Sequence, residues 1–200
     1  ELASEGKIFI GSKDVTLLSA ADRDVSMVFQ SYALFPHMSV IDNAAYGPLV
    51  SGVKKERAQE MAREKLHAVG LKGYDDRLPS ELSGGQQQRV AVARALVGRP
   101  EIILADEPTG NLDSRTGAEI LTFLRNAVRE LGQTVVMVTH DPTAAAYADR
   151  AVFLADGRMS TDDVAQHFVA TTTNVEAAAH LGIATTFGLR DWVAGRSSLW

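Results

Sequence analysis

The chain has 200 residues, 46% apolar and 22% charged, enough for one good core and a small satellite unit. A net charge of −5 argues against the basic footprint of a dedicated nucleic-acid binder, so no nucleic acid is expected as a partner. The absence of cysteine rules out disulfides and thiolate metal sites and fits a reducing cytoplasm, while apolar stretches such as Val90 to Val97, with Arg94 inside, fall short of the ~20 residues of a membrane span.

Polar residues lead into Lys7-Ile-Phe-Ile10 with no Met start, basic leader or cleavage segment, so the chain reads as cut from a longer one. The β-like runs Lys7–Ile10 and Val25–Phe29, set among turn formers such as Gly11 and Asp14, predict a small sheet edge, which Gln30 closes. After Pro48, apolar residues at Ala58, Met61, Ala62, Leu66 and Val69 recur near helical spacing. They predict an amphipathic helix over Lys54 to Val69, stopped by Gly70. Ser83 is placed to cap the next helix, Gln86 to Val97, which Gly98 and Pro100 close.

Two continuous apolar runs follow, Ile102–Ala105 and Thr134–Val138, of the kind buried on both faces of a parallel sheet. Between them a helix runs from a cap at Asp113 or Ser114 through Ile120, Leu121, Leu124, Val128 and Leu131 to Gly132. Strand, helix and strand form a βαβ unit with a right-handed crossover. Pro142–Ala148 predicts one more short helix, followed by a strand Ala151–Ala155 and a turn at Asp156-Gly157, where the Rossmann-like part ends. Residues 161–200 show only two weak helical patterns around Thr171-Thr-Thr173 and Ala177-Ala-Ala179, and are given no place and no function.

Four features carry chemistry. Leu82-Ser-Gly-Gly-Gln-Gln-Gln-Arg89 is a helix start whose glycines leave backbone N–H groups uncovered, an anion site by construction. Taken alone, an ordinary N-cap accounts for it. Ile102 to Pro108 ends a buried strand in two adjacent acids at the carboxyl edge, where open α/β sheets bind ligands. In a phosphoryl-transfer site, Asp106 holds Mg2+ through water while Glu107 orients and deprotonates the attacking water; two solvated loop acids are the competing reading. His140, in Thr139-His-Asp141, stands on the same edge within reach of a terminal phosphate, although a single histidine is usually structural. Gln30 is placed to ligand Mg2+ or hold the water, a signal worth little by itself.

In this order and spacing the elements resemble the ATP-binding subunits of ABC transporters, over roughly residues 5 to 160. Gln30 falls at the Q-loop, Leu82 to Gln86 at the signature motif, Ile102 to Glu107 at Walker B, Asn111-Leu112-Asp113 at the D-loop and His140 at the switch histidine. The resemblance implies an α/β, P-loop NTPase-like (RecA-like) fold, a parallel sheet core with an inserted helical subdomain, here N-terminally truncated. Residues 1–30 and 98–160 would form a partial ATP-binding core, 31–97 the helical signature subdomain, and 161–200 an unassigned extension. It further implies ATP and Mg2+ as cofactors, a second ABC ATPase subunit docked head to tail, transmembrane permease subunits, and a place in the cytoplasm on the inner face of the membrane. Ser83 and Gly85 would reach the partner's γ-phosphate, Gly84 and Gln86 would belong to the same ATP-binding set, and Asp113 would cross the interface. Tyr32 to Met38 would either face the permease or pack within the subdomain.

The pattern fails at one place. No Gly-x-x-x-x-Gly-Lys-Ser/Thr run occurs, since Gly6-Lys7 leads into Ile8 and a β-run, and the adenine-stacking aromatic is missing too. These residues alone are therefore expected to be inactive, and marginal or aggregation-prone, with a sheet edge and apolar surface exposed. The competing functions are an incompetent subunit that only completes a partner's ATP site, and a soluble ABC ATPase with no membrane partner. Val25 to Val40 resembles importers of polyamines, ferric iron or sugars, whereas Asp106 to Ser114 resembles lipoprotein-release and macrolide-export ATPases.

Overall fold

The computed structural model describes residues 5–155, 158–160 and 182–187. Near the start, β1 (Phe9–Ile10) and β2 (Lys13–Asp14) form a small antiparallel ribbon. The main sheet begins with β3 (Val25–Val28), and three helices follow before the chain returns to it. These are α1 (Val40–Val50), α2 (Lys55–Ala68) and α3 (Gly84–Val97), which pack on one another. The predicted Lys54–Val69 helix thus appears with both its end residues as caps, and Gly70 takes the left-handed φ of +77° that stops it.

The sequence reading passes over α1, because Pro48 reads as a boundary. Pro48 instead sits buried in the last turn of the helix, whose first turn buries Val40 and Ile41. Tertiary burial overrides the local signal. Fully buried Asn43 makes the helix a clamp: its amide donates to the carbonyls of Phe35, Met38 and Ser39 at 3.0, 3.0 and 3.1 Å, and accepts from the Phe35 N–H at 2.8 Å. Phe35 packs on Tyr46 with ring centroids 4.5 Å apart, while Pro36 and His37 stay exposed.

From α3 the chain enters β4 (Ile102–Asp106), α4 (Ser114–Leu131) and β5 (Thr134–Thr139). Strands β3, β4 and β5 are mutually parallel neighbours, as the strand-helix-strand pattern predicts. Asp113 caps α4 by accepting from the N–H groups of Arg115 and Thr116, and Gly132 ends it at φ +66°. The short α5 (Pro142–Ala145) leads to β6 (Arg150–Ala155), and β7 (Arg158–Ser160) returns antiparallel with Ala155 opposite Arg158. That register leaves a two-residue connection, whose residues 156 and 157 lie outside the described ones.

Two expectations are corrected. The runs in β4 and β5 are not buried on both faces. Val28, Ile103, Ala105, Val135 and Met137 are at most 1% exposed in the cluster that also holds α3 and α4 residues, whereas Leu104 and Val138, on the other face, are 37% and 45% exposed. A run of apolar residues marks a strand, but cover decides burial, and among the described residues helices cover the face of Ile103 and Val135. Nor does the α/β part end at the Asp156-Gly157 turn. Strand β8 (Gly182–Phe187) inserts between β5 and β6, antiparallel to both, giving the order β3-β4-β5-β8-β6-β7. The expected apolar exposure is therefore present, while the outer edge of β5 is paired.

Candidate active site

Because β3, β4 and β5 run parallel, their carboxyl ends fall on one edge, which collects Gln30, Asp106 and His140. Asp106 ends β4 and is exposed. The next residue turns sharply: Glu107 adopts φ +43°, a conformation that strains any residue but glycine. Its N–H still pairs with the Val138 carbonyl at 2.9 Å, and its own carbonyl accepts from Gly110 at 3.0 Å. The two acids diverge, as adjacent residues at a strand end must.

The Glu107 carboxylate is largely buried and held from three sides. One oxygen accepts from the His140 backbone N–H at 2.9 Å and meets His140 Nδ1 at 2.5 Å, and the other accepts from the Thr139 hydroxyl at 3.2 Å. The sequence placed Glu107 and His140 on one edge without foreseeing this contact. Thr139, which completes it, carried no signal beyond its position at a strand end.

The hydrogen bond to Glu107, then its charge, raise the His140 pKa above the ordinary 6.5. The contact's contribution to stability is therefore fully present below about pH 6.5 and is lost as pH rises through the raised folded value. The melting-temperature gap between wild type and His140→Ala should be widest near pH 6 and close towards about pH 9. A gap that widens on raising the pH contradicts the pairing.

At the start of α3, Ser83 is an exposed N-cap in a reciprocal box: its hydroxyl accepts from the Gln86 N–H at 3.4 Å, and Gln86 Oε1 accepts from the Ser83 N–H at 2.9 Å. The glycines have a packing reason that spacing does not announce. A Cβ on Gly84 would stand 2.7 Å from the Tyr32 hydroxyl, and one on Gly85 2.5 Å from Thr116 Cγ2. Asp113 is engaged within the chain, with Thr116 donating to it from both backbone and hydroxyl, which lowers its pKa. Gln30 lies over Gly110, its Nε2 2.6 Å from where a Cβ would sit, and its backbone carbonyl accepts from Asn111 at 3.0 Å. Among the described residues, no hydrogen bond joins Ser83, Gly84 or Gly85 to Glu107 or His140.

The described residues hold no group of three or more His, Asp or Glu side chains able to bind a metal by themselves. Asp106 and Gln30, oxygen donors at the ends of adjacent strands, nevertheless fit Mg2+, which takes one or two protein oxygens and completes its shell from water and phosphate.

The family model described as "ABC transporter" matches residues 1–110, more than half of the chain. The chain belongs to this family. Curated relatives include the Fe(3+) ions import ATP-binding protein FbpC 1 of Rhizobium meliloti, 50% identical over 183 residues, 91% of this chain and 52% of that protein. FbpC of Agrobacterium fabrum is 55% identical over 161 residues, 80% of this chain and 46% of that one. The chain thus spans about half the length of the curated relatives it matches. Two dimeric structures of the ATP-binding cassette MJ0796, one in a post-hydrolysis state with ADP and Pi, superpose with a TM-score of 0.69. They are 34% and 36% identical and cover 80% of this chain and 75% of theirs, so the P-loop NTPase-like fold expected of an ABC cassette is present. A second model, described as "Phosphoglucose isomerase", matches residues 129–200, from the end of α4 into residues outside the described ones. No helix of the described residues is long and apolar enough to cross a membrane.

Proposed function

We propose that this chain is the ATP-binding part of an ABC importer's ATPase, which hydrolyses MgATP at an interface shared with a second ATPase subunit and drives permease subunits in the membrane. The observation that carries the proposal is the Glu107 carboxylate, oriented by Thr139 and His140 next to the exposed Asp106 at the sheet's carboxyl edge. In this reading Glu107 takes the proton of the water that attacks the terminal phosphate, and His140 holds the carboxylate in register. Asp106 and Gln30 supply oxygens to Mg2+, whose charge would offset that of the phosphates. Ser83 to Gln86 complete the partner's site, and Asp113 borders the interface. The division into core (1–30 and 98–160, to which β8 is added by its pairing with β5 and β6) and signature subdomain (31–97) belongs to the same proposal, as does a place on the inner face of the membrane. Ferric iron is the proposed cargo, supported by relatives 50% and 55% identical whose names state Fe(3+) import.

No phosphate-binding loop lies within these residues, so the test uses a partner subunit that has one. Reconstituted with such a subunit and the permease, Ser83→Arg should slow the partner's ATP turnover by at least about ten-fold, because a bulky cation displaces the donors at the start of α3. An unchanged phosphate-release rate counts against the shared site.

A further inference from the structure

Gln88 lies on α3, one turn beyond the signature glycines, and is fully buried, an unusual place for glutamine. Its Nε2 donates to the Pro108 carbonyl at 2.6 Å. A carbonyl only accepts, so chemistry itself fixes which end of the amide faces Pro108. The other end, Oε1, has no partner among the described residues. An orphaned buried acceptor lowers stability, and a methionine would fill the same volume without one. What distinguishes glutamine at this position is the bond it makes, since methionine would leave the buried Pro108 carbonyl without that donor.

What the amide holds is the residue immediately after Glu107. The turn at Glu107 is strained, and it is pinned at three points: its N–H to Val138, its carbonyl to Gly110, and the next carbonyl to Gln88. The first anchor belongs to β5 and the second to the turn itself. The third comes from the helix that begins at Ser83.

We propose that Gln88 is a positioning residue for Glu107, tying the strained turn that carries the carboxylate to the helix that starts at the signature motif. This rests on the reading of Glu107 as the base. Whatever engages the start of α3 then also bears on the carboxylate at the sheet edge, so the two halves of the machinery are joined within one chain.

The test follows the full chain with labelled histidine by NMR, in wild type, Gln88→Met, Gln88→Leu and Val92→Ala. The titration of the His140 ring reports on its contact with Glu107, and hydrogen exchange at the Gly110 amide reports on the turn. Both Gln88 variants should bring the His140 pKa down towards that of an ordinary histidine, and speed Gly110 exchange by about ten-fold or more. Val92→Ala, which removes buried bulk from the same helix, should lower the melting temperature and leave both readouts in place. His140 titration and Gly110 exchange in Gln88→Met identical to wild type would overturn the proposal. No ATP enters the measurement, so the tie can prove absent while Glu107 is still essential for turnover, and if Glu107 proves dispensable the reading of it as the base fails while the tie between Gln88 and the turn is still seen.

Discussion

Glu107→Gln, placed in a protein that carries a phosphate-binding loop ahead of this chain, should abolish ATP turnover, with a rate loss of at least about 10²- to 10⁴-fold, while MgATP binding persists. The amide keeps the size of the carboxylate: its oxygen can still accept from the His140 backbone, while its NH2, facing Thr139, can donate to the hydroxyl oxygen where the carboxylate accepted, so the turn remains. What disappears is the basic oxygen. Phosphate release measures the first effect and equilibrium nucleotide binding the second. Ordinary hydrolysis by the variant would remove Glu107 from the chemistry. Loss of both activities together would point to a binding defect instead.

The largest stability effect is expected at Leu124. It is fully buried on α4, on the face with Ile120 and Leu121 that packs into the cluster holding Ile103, Val135 and Met137. Leu124→Ala removes that bulk and leaves a cavity, at a cost of about 2–5 kcal/mol. Against a typical total of about 5–15 kcal/mol, this is a large share for a sheet that leaves Leu104 and Val138 exposed on its other face. The urea midpoint should drop accordingly, and the soluble fraction on expression with it. A midpoint within error of wild type would show that α4 is not a principal support of the sheet.

The parts legible in the sequence were those written locally. The caps Ser83 and Asp113, the stop at Gly132 and the helical spacing of Leu66 or Leu124 each depend on a few neighbouring residues, and each appears where expected. The same is true of the sheet edge, because parallel strands in a βαβ unit must end together. What remained hidden depends on distant chain. Helix α1 is set by burial and by Asn43 clamping the preceding loop, neither of which offsets a proline in a local reading. The pairing of β8 with β5 joins residues far apart in sequence. Gln88 looks like one of three like residues until the Pro108 carbonyl, twenty positions on, is found beside it. Likewise, the signature glycines suggested open N–H groups, whereas their lack of a side chain also makes room for Tyr32 and Thr116.

The contact between Glu107 and His140 also governs how the edge meets a polyanion. A carboxylate against an imidazolium sums to no net charge, so in the acid range the pair adds no repulsion to that of Asp106 when phosphates approach. On a chain of net charge −5 such local neutrality favours encounter. As the imidazole loses its proton, the carboxylate stands uncompensated, and the same edge becomes one charge more hostile to any polyanion.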